Sequence, residues 1–79
     1  MKIYVVRLLL KMNRYEEKNF LETNIDYITL NVEATSKEKA IFEATKELIN
    51  QNLWLLRNYF NDRKITSYEL LQYEITNRI

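Results

Sequence analysis

Lys2-Ile3-Tyr4-Val5-Val6-Arg7-Leu8-Leu9-Leu10-Lys11-Met12 is the stretch on which the fold turns. Tyr4, Val6, Leu8, Leu10 and Met12 alternate onto one wholly apolar face, the period of a β-strand. Ile3, Val5, Arg7, Leu9 and Lys11 fall on the other face, which is apolar except for its two cations. A strand apolar on one side and largely apolar on the other belongs at the centre of a sheet. The chain therefore has to supply a flanking strand on either side and a layer to cover the Tyr4–Met12 face.

The flanking strands follow from the same period. Asn13 to Asn19 is polar and reads as a hairpin loop, after which alternation resumes from Ile25 to Ala34. There Ile28, Leu30, Val32 and Ala34 face the core, and Tyr27, Thr29, Asn31 and Glu33 face water. Asn61 to Lys64 is a polar turn, and Ile65 to Ile75 is the last strand, with Leu71, Tyr73 and Ile75 inward.

The covering layer lies between them. Thr35-Ser36-Lys37-Glu38 fits a capping box with Thr35 as N-cap and Glu38 at the third helical position. Ala40, Ile41, Ala44, Leu48 and Ile49 then recur at helical spacing. The helix either stops at Asn50-Gln51-Asn52 or runs on to Asn61. The extension puts Leu53, Leu55, Leu56, Tyr59 and Phe60 in the arc of Ile41, Leu48 and Ile49, which favours one long helix, with Asn52 as a kink. The expectation is an α+β fold of one domain, residues 1–79, ordered ββαβ. Its three-stranded antiparallel or mixed sheet packs on that helix, with the first strand central.

Composition bounds the chemistry. Histidine, cysteine, glycine and proline are all absent from the 79 residues. The chain thus lacks the side chain suited to proton transfer near neutral pH and the best intrinsic nucleophile. It also lacks any Gly-rich phosphate loop or nucleophile elbow. No catalytic residue, cofactor-binding residue or metal-ligand spacing can be named, and the expectation is a binding protein rather than an enzyme. A chain of this length buries only about 60% of its unfolded surface, so packing or a second copy has to stabilise it. No stretch is long enough to span a membrane, Arg7 interrupts the only signal-like run, and a cytoplasmic location is expected. The excess of Asn, Lys, Ile, Tyr and Phe over Ala, Gly and Pro points by codon chemistry to an AT-rich genome.

Two surfaces stand out. A single helix covers one face of a sheet, which leaves Ile3, Val5 and Leu9 as a homodimer or docking face unless Phe20 and Leu21 fold over them. In a continuous helix Trp54 projects away from the core beside Asn50, Arg57 and Asn61, the composition of a partner-binding hot spot. In a broken helix Trp54 fills the core instead, as most tryptophans do. The basic residues Lys11, Arg14, Lys18, Arg57, Arg63 and Lys64 are interleaved with acids, and the net charge is only +1. A nucleic-acid footprint is a one-signed stripe, so nucleic acid is disfavoured as a partner.

Met1-Lys2-Ile3-Tyr4-Val5-Val6 and Leu30-Asn31-Val32-Glu33-Ala34-Thr35-Ser36-Lys37-Glu38-Lys39-Ala40 resemble a pattern in short phage and mobile-element proteins. The pattern is a strand ending in Val-x-Ala, a Ser/Thr cap, an acidic residue and a helix-starting Ala. It is similar to DpnD/PcfM-like proteins and to some small anti-CRISPR proteins. The resemblance implies a phage-type protein that binds and inhibits a bacterial host or defence protein without catalysis. An antitoxin-like module neutralising a toxin or nuclease, and a nucleic-acid-binding accessory protein, are the alternatives.

Overall fold

β1 (Lys2–Glu16) and β2 (Asn19–Ala34) form a long hairpin; α1 (Lys37–Gln51), α2 (Leu53–Tyr59) and β3 (Ile65–Arg78) follow. The computed structural model describes residues 1–78. The sheet order is β2-β1-β3 with both pairings antiparallel, so β1 is central as its two-sided hydrophobicity requires. At about 3.3 Å per residue, β1 alone spans about 46 Å. The molecule accordingly measures 45 × 18 × 17 Å, a rod rather than a sphere.

Tyr4, Val6, Leu8, Leu10 and Met12 of β1 are all buried, with Ile28 and Ala34 from β2 and Ile65 from β3. The helices close this core with Ala40, Ala44, Leu48 and Leu56. The two alanines let α1 lie close on the sheet. Leu30, Val32, Leu53, Leu55, Phe60, Tyr68, Leu70 and Ile75 pack around the margin.

The sequence reading requires correction in several places. The polar stretch 13–19 is not a loop: only Glu17 and Lys18 turn, and Glu16 pairs with Asn19. Cross-strand bonds take the place of apolar burial there. Asn13 donates to Ser67 and accepts from Thr23, and the Tyr15 and Phe20 rings meet edge-on at 5.4 Å. The helix cap is Ser36, one residue later than expected, and its hydroxyl accepts from the Lys39 amide at 3.2 Å. Glu38 still lies in the first turn, where its charge favours the helix dipole.

The single long helix is two short ones, making the order ββααβ. Asn52 adopts φ 52 and ψ −132, a non-helical geometry that breaks the rod while its amide still donates to Leu48 O at 2.7 Å. The break ends the common arc, so Ile49 is left exposed while Leu56 is buried. In β3 a register irregularity opposite Leu9 and Leu10 pairs Leu10 with Leu70 and Leu9 with Gln72, leaving Leu71 as the extra residue. Leu71 is therefore not a core residue but 42% exposed, and Leu70 and Tyr68 turn inward instead. Tyr73 stands opposite the buried Leu8, on the core face as expected, yet is 53% exposed on the edge strand.

With no glycine in the chain, three other residues among those described take left-handed backbone: Glu17, Asn52 and Asn61. Asn61 terminates α2. Its amide donates to Asn58 O at 3.3 Å and the next amide, of Asp62, to Arg57 O at 2.9 Å. That bond pair is a Schellman motif, in which asparagine is the best substitute for glycine.

Candidate functional site

α2 has its own narrow amphipathicity. Leu53, Leu56 and Phe60, at spacings of three and four, turn toward the core, which leaves Trp54 on the opposite side. Trp54, the only tryptophan, is 68% exposed. The helix breaks, and Trp54 is nevertheless at the surface, so the two readings of this residue were wrongly tied to helix continuity.

A cleft of about 360 Å³ is lined by Trp54, Arg57, Asn58, Asn61 and Arg63. Of the four residues expected together, the structure unites Trp54, Arg57 and Asn61. Asn50 is exposed on the last turn of α1 and does not line the cleft. The break at Asn52 separates it from its neighbours in sequence. Asn58 and Arg63 were missed; the helical period from Trp54 places Asn58 nearby, whereas Arg63 arrives only because the chain reverses at Asn61.

The cleft has a firm back wall. Arg57 Nε donates to Ile65 O at 2.9 Å, which ties α2 to the first residue of β3. Behind the turn, Arg14 is only 9% exposed. Its Nε donates to Asp62 Oδ2 at 2.6 Å and its Nη1 donates to Asn24 Oδ1. The second carboxylate oxygen of Asp62 accepts from the Lys64 amide at 2.9 Å, and Tyr15 N donates to Lys64 O at 2.8 Å. The Arg14 side chain, then the Lys64 amide, hold the Asp62 carboxyl below the usual carboxylate range, against the opposing effect of partial burial. The 61–64 turn is thereby clamped to the hairpin. Arg14 is a strut of the fold rather than a surface cation.

On the far side of the sheet, Ile3 is 46% exposed and Val5 and Leu9 are half-buried. Phe20 and Leu21 do not seal this face: they sit exposed at the hairpin tip, with Phe20 opposite Tyr15. Twelve residues of strand, about 40 Å, separate that pair from Ile3. Arg7 divides the face, its guanidinium 4.2 Å from the Tyr27 ring centre and its Nη1 3.6 Å from Glu74.

Among the described residues no group of three or more His, Cys, Asp or Glu could hold a metal, and no helix is long and apolar enough to cross a membrane. No family model, curated protein or solved structure matches this chain.

Proposed function

We propose that this chain is a small, non-catalytic binding protein whose anchor is Trp54, and that it inhibits a bacterial host or defence protein in the cytoplasm by occupying part of its surface. One observation carries the reading: a tryptophan 68% exposed, lining one cleft with Arg57, on a helix that the Arg57–Ile65 hydrogen bond ties to β3. Leaving an indole in water forgoes burial that a 79-residue core could use, whereas tryptophan beside arginine is the composition of binding hot spots. Rigid backing reduces the entropy lost on association. The inhibitor class is supported by the sequence resemblance and the absence of histidine, cysteine and glycine. The test is affinity capture from a low-GC bacterial lysate with wild type and Trp54→Ala in parallel, read by mass spectrometry. A protein retained by wild type and lost with the variant is the expected result; a set of captured proteins identical for both refutes it.

A second reading has one observation in its favour. The cleft residues include Arg57 and Arg63 and no carboxylate, so one cleft combines an aromatic ring with two cations. Single-stranded DNA or RNA would then bind with strong salt dependence through counterion release. The expected outcome is no such complex. Submicromolar binding of a short oligonucleotide at physiological salt, lost on adding salt, reverses the order of the two readings.

A further inference from the structure

We propose that the outer edge of β2 over residues 30–35, with the groove between it and α1, takes up an extended peptide segment bearing Lys or Arg as a fourth strand of the sheet. The proposal rests on no part of the Trp54 reading, and the groove and the Trp54 cleft share no residue.

β2 is an edge strand, so half of its backbone groups point away from β1. The hydrogen bonds show which half. The Thr29 amide donates to the Tyr59 hydroxyl at 3.1 Å, and the Tyr27 amide to Asp26 Oδ1 at 2.7 Å. Both donors therefore face outward, and each is closed by a side chain. Pairing with β1 is unbroken from Ile25 to Ala34, so the Asn31 and Glu33 amides point the same way. Among the described residues neither finds an acceptor. The edge is blunted at 27 and 29 and open at 31 and 33.

A groove of about 540 Å³ runs along that open segment. Leu30 and Val32, both only partly buried, give it an apolar floor, and Lys39, Glu43 and Glu47 on α1 form its wall. An added strand would hydrogen-bond to Asn31 and Glu33 while alternate side chains drop against Leu30 and Val32. This is strand addition beside a helix, in which main-chain bonds supply affinity and the groove supplies selectivity.

Charge selects the occupant. Glu33, Glu43 and Glu47 outnumber Lys39 and the Met1 ammonium group, and none of the three carboxylates has a cation within 4.0 Å among the described residues. Glu47 accepts from Gln51 alone. A second copy paired edge to edge would bring these carboxylates against themselves, which costs free energy. A basic segment of another protein neutralises them.

The test uses isotope-labelled full-length protein and a capped hexapeptide of alternating valine and lysine, with a valine–glutamate hexapeptide as control. At millimolar lysine peptide, exchange of the Asn31 and Glu33 amides is expected to slow about tenfold, equivalent to about 1.4 kcal/mol. The glutamate peptide is expected to do nothing, and the double variant Glu43→Lys/Glu47→Lys to invert that preference. Asn31→Pro removes an outward donor at an edge position where proline is tolerated, so it should stay folded by circular dichroism and lose the effect. Trp54→Ala should keep it. Unchanged Asn31 and Glu33 amides, equal action of the two peptides, or protection that appears on concentrating the protein alone each overturn the proposal.

Discussion

Replacing Arg14 with leucine should destabilise the protein by about 3 kcal/mol, although the substitution adds apolar volume to a nearly buried site. Arg14 makes charge-assisted bonds to Asp62 at 2.6 Å and to the Asn24 carbonyl. A hydrogen bond to a charged group contributes about 1.5–3 kcal/mol, and the abandoned Asn24 acceptor costs about 1 kcal/mol more. The Asp62 side chain keeps 26% of its surface in water, so the loss sits at the lower end of the 3–5 kcal/mol typical of a broken buried pair. Urea unfolding followed by circular dichroism gives the value. The same pair controls acid stability. Because Arg14 and the Lys64 amide lower the folded-state pKa of Asp62, the stabilisation is fully present above the unfolded value near ~3.9. It is lost as pH falls through the lower folded value. Wild type should therefore weaken below about pH 4 more steeply than Asp62→Asn. A leucine variant within about 0.5 kcal/mol of wild type, the range of ordinary surface substitutions, or parallel acid profiles for wild type and Asp62→Asn, would show that the clamp does not hold the turn.

Two further outcomes are expected. Asn52→Gly should raise the thermal midpoint, since φ 52 and ψ −132 suit glycine, with relief of about 1 kcal/mol partly offset by glycine's freedom when unfolded; a lower midpoint contradicts the strain. Light scattering at micromolar concentration should give about twice the 9.7 kDa chain mass, through the face bearing Ile3, Val5 and Leu9, and Ile3→Lys should restore the monomer; a wild-type monomer refutes that interface.

Much of this architecture was legible because β1 alternates without interruption from Tyr4 to Met12, and a strand apolar on both faces has one place in a sheet. What was illegible shares a cause: it depends on backbone geometry that side-chain periodicity does not encode. Residues 13–24 look like loop because their pairing runs through Asn13, Thr23 and Arg14 rather than through apolar burial. The irregularity that expels Leu71 leaves no mark in Ile65 to Ile75, whose alternation misassigns Leu71, whereas Tyr73 keeps the expected face opposite Leu8 but stays exposed on an edge strand. Asn52 carried a visible warning, a polar residue within an apolar arc, and it marks a full break. The Trp54 cleft was half legible, since Trp54 and Arg57 are one helical turn apart. Arg63 required the Schellman turn at Asn61, and Asn50 was lost to the break. The sequence placed β2 at an edge, but which of its outward amides stay open was not legible, because closure at 27 and 29 depends on where Asp26 and Tyr59 come to lie.

The central claim is that Trp54 stands exposed on an intact fold and is covered when a partner binds. As the sole tryptophan, it reports directly through iodide quenching of its emission, measured on the free protein and on the complex with the protein captured from the lysate. Ready quenching when free, shielding in the complex, and a Trp54→Ala variant that folds nearly as stably but binds at least about 2 kcal/mol more weakly are expected. Emission that iodide cannot reach in the free protein, or that it reaches equally in the complex, would contradict the account.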